Sequence, residues 1–156
     1  MKRLMSVLCI AILFASCSSD DDSSSSENRL EGSWTLTQAN LEAPLDLNND
    51  GTADPNFIVE VPCFEGDITF TANGDFTQNF SDVDIQEVNG ETTVVCNGTI
   101  TNSGTYELDG NQLTTTINTV NGPEVTTTTI NLDNDILKAS FEYQQFGMIE
   151  FVYQRD

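Results

Sequence analysis

The sequence predicts an all-β domain, an up-and-down antiparallel meander closed into a barrel of eight to ten strands. Three observations carry this. Short runs rich in threonine, valine and isoleucine recur from Leu30 onward, and such residues favour pleated strands. Dipeptides built on glycine, asparagine and aspartate punctuate these runs at the spacing of short strands and tight turns. No stretch beyond the N-terminal one shows the 3.6-residue periodicity of an amphipathic helix. Tight turns pair each strand with its neighbour in sequence. Closure removes the two bare edges that an open meander would expose.

The N-terminal stretch is not part of that fold. Lys2 and Arg3 precede an apolar run of 11 residues, Leu4 to Phe14, whereas a membrane-spanning helix needs about 20. Residues 1–16 are therefore expected to be an export signal peptide. Phe14-Ala15-Ser16-Cys17 resembles a bacterial lipobox, in which two small residues precede a cysteine that becomes lipidated. Phenylalanine stands where that pattern prefers leucine. The resemblance implies a lipid anchor on Cys17 and an outer-membrane location, at the periplasmic face or the cell surface. Ser18 to Asn28 contains no apolar residue, so residues 17–29 read as the lipidated cysteine and a disordered tether. The acids just after Cys17 also resemble a surface-export signal, and a plain solvated spacer fits them equally.

Cleavage before Cys17 takes 16 residues from the 156 and leaves 140, with three basic residues against 25 acidic, a net of −22. Nucleic acid and anionic membrane surfaces attract basic patches, so this balance excludes both as partners. It suits a soluble head group on its anchor, expected to be a monomer.

The domain proper runs over residues 30–156. Leu30 to Leu36, LEGSWTL, opens the first strand. Ile68 and Phe70, the turn at Asn73-Gly74, then Phe76 and Phe80 read as a hairpin. Further turns are expected at Asn89-Gly90, Ser103-Gly104, Asp109-Gly110-Asn111, Asn121-Gly122-Pro123 and Asp133-Asn134-Asp135. They delimit strands over TTVVCNGTI, TYEL, QLTTTINTV, EVTTTTINL and ILKASFEY. In the last of these Leu137, Ala139, Phe141 and Tyr143 share a face. In the closing strand Ile149, Phe151, Tyr153 and Arg155 do the same.

An arginine at the end of an apolar face needs a partner. Gly32-x-Trp34 on the first strand with Arg155 on the last resembles the lipocalin barrel. The resemblance implies that Arg155 stacks on Trp34 and closes the barrel, a contact of roughly 0.5–2 kcal/mol. The chain from Leu30 to Asp156 also resembles the small lipocalin-like domains of Gram-negative lipoproteins. Cys63-Phe64 ahead of the Asn73-Gly74 hairpin, and Gly110-Asn111-Gln112-Leu113, match their pattern. The function implied is binding of a small, mostly apolar ligand inside the barrel. The candidate wall is Leu36, Phe70, Phe76, Phe80, Ile117, Phe141, Tyr143 and Phe151. The alternative is a non-enzymatic interaction or structural module of the envelope, its barrel filled by those same aromatics.

The cysteines and the acids complete the reading. With Cys9 in the leader and Cys17 lipidated, Cys63 and Cys96 form an even pair in an exported chain and are expected to be a disulfide. A metal–thiolate pair or redox site fits poorly, since the chain has neither histidine nor Cys-x-x-Cys. The missing histidine also removes the commonest general base, and no cofactor fingerprint is present, so no enzyme is expected. In DLNNDGTAD, Asp46, Asn48, Asp50, Gly51, Thr52 and Asp54 match positions one, three, five, six, seven and nine of a calcium loop. Position twelve is Phe57 rather than glutamate, and Glu60 lies three residues late. Structural calcium and a metal-free polar turn both remain open.

Overall fold

In a computed structural model, described over residues 30–88, 91–143 and 146–156, the chain forms one antiparallel sheet rolled into a barrel. Its strands are β1 (Gly32–Leu45), β2 (Asp54–Asn56), β3 (Gly66–Phe70), β4 (Asp75–Val88) and β5 (Glu91–Asp109). They continue as β6 (Gln112–Thr119), β7 (Gly122–Asp133), β8 (Ile136–Tyr143) and β9 (Gly147–Arg155). A single helical turn, α1 (Phe57–Glu60), follows β2. From β3 to β9 each strand pairs with the next in sequence, and β1 pairs with both β3 and β9. That closes eight strands, with β2 as a short extra strand beside the far half of β1. The expected signal segment and tether, with Cys17, lie outside the described residues.

The lower end is the closed one. Trp34, Phe70, Phe76, Tyr106, Leu108, Leu113, Ile130 and Leu137 are all buried there in one continuous core. Each belongs to the alternating set on its strand that faces inward. The Tyr106 hydroxyl donates to the Thr71 carbonyl at 3.0 Å and so ties the β3–β4 turn across the base.

Two bulges interrupt the alternation. In β1 the register with β9 slips between Leu36 and Gln38. Inward positions therefore change from Trp34 and Leu36 to Ala39 and Leu41, all buried. The β4 register with β5 slips between Asp82 and Val83.

One expected turn is absent. Ser103-Gly104 does not break the chain; it lies inside the 19-residue β5. Gly104 is there because β5 and β6 approach closely: a Cβ on it would stand 2.0 Å from the Thr116 carbonyl oxygen. TTVVCNGTI and TYEL are consequently one strand. A glycine in a Thr-rich run signals a turn or a close backbone approach equally well.

Candidate functional site

The closing seam is built first, because it fixes the lower end. β1 and β9 pair Trp34 with Arg155. The guanidinium carbon of Arg155 lies 4.2 Å from the Trp34 ring centroid. Arg155 Nη1 donates to the Glu31 carbonyl, and Nε lies 3.4 Å from Asp135 Oδ1. Trp34, fully buried, donates through Nε1 to the Leu30 carbonyl at 2.8 Å. Gly32 belongs to this arrangement, since a Cβ there would meet Arg155 Nη1 at 2.8 Å. The spacing Gly-x-Trp therefore has a steric reason: the glycine leaves room for the guanidinium that covers the indole.

Above the core the barrel is hollow. A cavity of about 460 Å³ opens at the upper end, within the usual range for small-molecule sites. Its wall is aromatic. Phe57 meets Phe64 edge-on at 5.1 Å and Phe146 at 5.8 Å. Phe64 stacks on Phe80 at 6.0 Å, and Phe80 contacts Phe151 at 6.1 Å. Tyr143 lies against Phe151 at 6.1 Å. Ala39, Val83, Ile85, Ile100 and Ile149 complete the apolar lining, with Ser81, Asp82 and Asp84 as its polar members.

The eight side chains assigned to the inner wall by alternation divide by height. Phe80, Tyr143 and Phe151 line the cavity. Leu36, Phe70 and Phe76 are buried in the core below it and line no cavity. Ile117 and Phe141 are half-buried and pack against the core without reaching the mouth. Alternation specifies the face a residue occupies and not its level along the axis. Phe57, Phe64 and Phe146 were out of its reach for another reason. They sit on connections, where no period operates.

Just below Phe80 and Phe151, on the same strands, Gln78 and Tyr153 form a polar pair. Tyr153 is buried, with the polar Gln78 side chain near its hydroxyl. Desolvation pushes the Tyr153 hydroxyl well above its ordinary pKa of 10.0, and Tyr143 next to it adds to the shift. Burial likewise raises Tyr143. Both phenols stay neutral across the physiological range and offer hydroxyls rather than charge.

The long β1–β3 connection brings Phe57 and Phe64 to the mouth, and three devices hold it. Asn56 caps α1 with its side-chain oxygen, accepting from Ile58 N at 3.3 Å and also from Ala39 N at 3.0 Å. Glu60, only 2% exposed, accepts from the backbone N–H of Leu47 at 2.9 Å, Asn48 at 3.3 Å and Asp54 at 3.0 Å. A disulfide joins Cys63 to Cys96, with Cα atoms 6.5 Å apart, and pins the loop to β5.

Within this loop the acidic run folds on itself. Asp46 Oδ2 accepts from Gly51 N at 3.0 Å, Asn48 Oδ1 from Asp50 N at 2.9 Å, and Asp50 Oδ1 from Thr52 N at 2.7 Å. Asp54 Oδ1 accepts from Asn56 N at 2.7 Å. Among the described residues, no three His, Cys, Asp or Glu side chains group closely enough to hold a metal by themselves. The other Asp46 oxygen, Oδ1, is buried and has no hydrogen-bond partner.

A second hollow, about 630 Å³, lies against β7 and β8. It is the larger of the two. Asn111, Thr129, Asn131, Lys138, Ser140 and Glu150 line it, and Lys138 is ion-paired to Glu150 at 3.6 Å. Such a polar wall offers an apolar molecule little, and the smaller aromatic cavity is the better site.

A family model described as "Lipocalin-like domain" matches residues 30–139. The chain is also similar to a solved structure, the crystal structure of a lipocalin-like protein from Bacteroides uniformis ATCC 8492. Identity is 19% over 82% of this chain and 99% of that chain, with a TM-score of 0.42. No curated protein sequence matches.

Proposed function

The chain belongs to the lipocalin-like domain family, and from that premise we propose that its barrel is a non-enzymatic cup for a small, mostly apolar molecule. The observation that carries this is the aromatic cavity at the upper end, lined by Phe57, Phe64, Phe80, Phe146, Phe151 and Tyr143. Burial of apolar surface supplies the affinity, at about 25 cal/mol per Å². The Tyr143 hydroxyl at the mouth helps to fix orientation. In this reading Cys17 carries the lipid and the tether holds the cup off the outer membrane. Native mass spectrometry and organic extraction of the full chain test it. An apolar molecule should co-purify, and Ala39→Phe, which sets a ring into the cavity, should displace it while the melting transition survives. Repeated recovery of an empty barrel that takes up no apolar probe would leave the other reading, a docking module of the envelope. That alternative draws on the fully packed lower half.

A second reading concerns the acidic loop, and the buried unpartnered Oδ1 of Asp46 favours it. Calcium would be held by Asp46, Asn48, Asp50 and Asp54 side chains with the Thr52 carbonyl, as amide and main-chain oxygens add to carboxylates in such loops. Glu60 is committed to three backbone N–H groups, so the role is to pin the loop. Millimolar calcium should then raise the melting temperature relative to chelator, and Asp46→Asn should abolish the rise. An unchanged transition in both proteins refutes it.

A further inference from the structure

Resting on the cup reading, we infer that the mouth selects apolar molecules that carry a positive charge. The argument is one of available counter-ions. Among the described residues the basic side chains are Lys138 and Arg155. Arg155 is at the closed end over Trp34. Lys138 is on the outer wall, paired with Glu150. Neither lines the aromatic cavity. An apolar acid entering it would bury a carboxylate with no cation to meet, which is costly.

The same wall supplies the opposite sign. The register of β4 with β5 slips here, Asp82 facing Gly98 and Val83 facing Cys96, and Phe80, Asp82, Val83 and Asp84 all line the cavity. Asp82 is half-buried, and its carboxylate takes no side-chain hydrogen bond or ion pair from the described residues. The Glu42 carboxylate stands beside Gly147, which follows Phe146 of the wall. The aromatic rings of the same wall attract a cation through their quadrupoles. A formal net charge of −20 extends the same field to longer range.

Three isosteric probes test the inference: 4-phenylbutylamine, 4-phenylbutanol and 4-phenylbutanoate. Binding is measured by equilibrium dialysis against the full chain in lipid nanodiscs, with empty nanodiscs as the blank. The amine should bind about tenfold more tightly than the alcohol, and the acid most weakly. Raising salt should erode the amine's advantage, because the mouth is open to solvent. Asp82→Asn should narrow the gap between amine and alcohol, and a retained melting transition reports an intact fold. An alcohol that binds as tightly as the amine, or an acid that binds more tightly, overturns the charge preference and leaves the apolar cup standing. Failure of all three probes to bind sinks the cup reading, and this inference with it.

Discussion

Replacing Glu60 tests whether one buried carboxylate organises the loop that builds the mouth. It is 2% exposed and has three backbone donors, of which Leu47 N at 2.9 Å and Asp54 N at 3.0 Å are well placed. The third, Asn48 N at 3.3 Å, shares an oxygen with Leu47 N. A hydrogen bond to a charged group contributes about 1.5–3 kcal/mol, so the two good ones amount to roughly 3–6. Water reaching the emptied site recovers part of that. Glu60→Ala should therefore cost about 3 kcal/mol, a large share of the roughly 5–15 kcal/mol that holds a typical domain together. Glu60→Gln keeps the shape but turns one acceptor oxygen into a donor, and should cost about 1–2 kcal/mol. Urea unfolding followed by the fluorescence of the single tryptophan, Trp34, reads both. With a slope of about 1–3 kcal/mol per molar, the alanine midpoint should fall by at least roughly 1 M. Val59→Thr, at the half-exposed neighbouring position, serves as control. Phe57 and Phe64 depend on the same loop, so apolar-probe affinity should drop alongside stability. If the alanine midpoint stays within the control's scatter, the carboxylate clasp is decorative and the account of the loop is wrong.

Three further outcomes follow from the geometry. Reducing Cys63–Cys96, a crosslink spanning 33 positions, should lower stability by about 3–4 kcal/mol on the loop-entropy argument; urea titrations with and without reductant measure it. Arg155→Met should cost about 1–3 kcal/mol by removing the cation over Trp34 and the bond to the Glu31 carbonyl, and a shifted Trp34 emission spectrum should accompany the loss. The folded-state pKa of Tyr153 is raised above its ordinary 10.0, so its share of stability is complete below that pH. It is lost as pH climbs from there toward the folded value, because the unfolded chain ionises first. Stability measured from pH 8 to 12 should bend downward above 10, and Tyr153→Phe should flatten the bend.

The alternation of β8 and β9 was readable because both strands run without interruption and bury Leu137, Ala139, Ile149, Phe151 and Tyr153 on one face. Closure was readable for a different reason: from β3 onward short connections join consecutive strands, which pair with each other and leave no long crossover of the kind a sandwich needs. Where the chain departs from uniform alternation, reading fails in physically specific ways. Gly104 mimics a turn because the steric demand of a close strand crossing and of a tight turn select the same residue. The register slips at Thr37 of β1 and at Asn97 of β5 each add a residue that alternation cannot anticipate.

The cavity shows where such reading must stop. Leu36, Phe70, Phe76, Phe80 and Phe151 are equivalent to any periodic argument, yet three fill the base and two line the mouth. What separates them is the opposing material at each level. Low in the barrel Tyr106, Leu108 and Leu113 arrive from β5 and β6 and close the space. Higher up β5 and β6 no longer pair beyond Gly104 and Ile117, and the gap falls to Phe57, Phe64 and Phe146 from irregular segments. The hollow is thus a consequence of strands parting company, which is a property of the sheet as a whole. The loop that repairs the gap is held by Glu60 and Cys63, so the same connection sets the volume of the cavity and the strength of its rim. Shortening that connection should collapse the mouth onto Phe80 and leave the Trp34–Arg155 seam untouched. A shortened variant that kept its probe affinity would show that the strands alone shape the site.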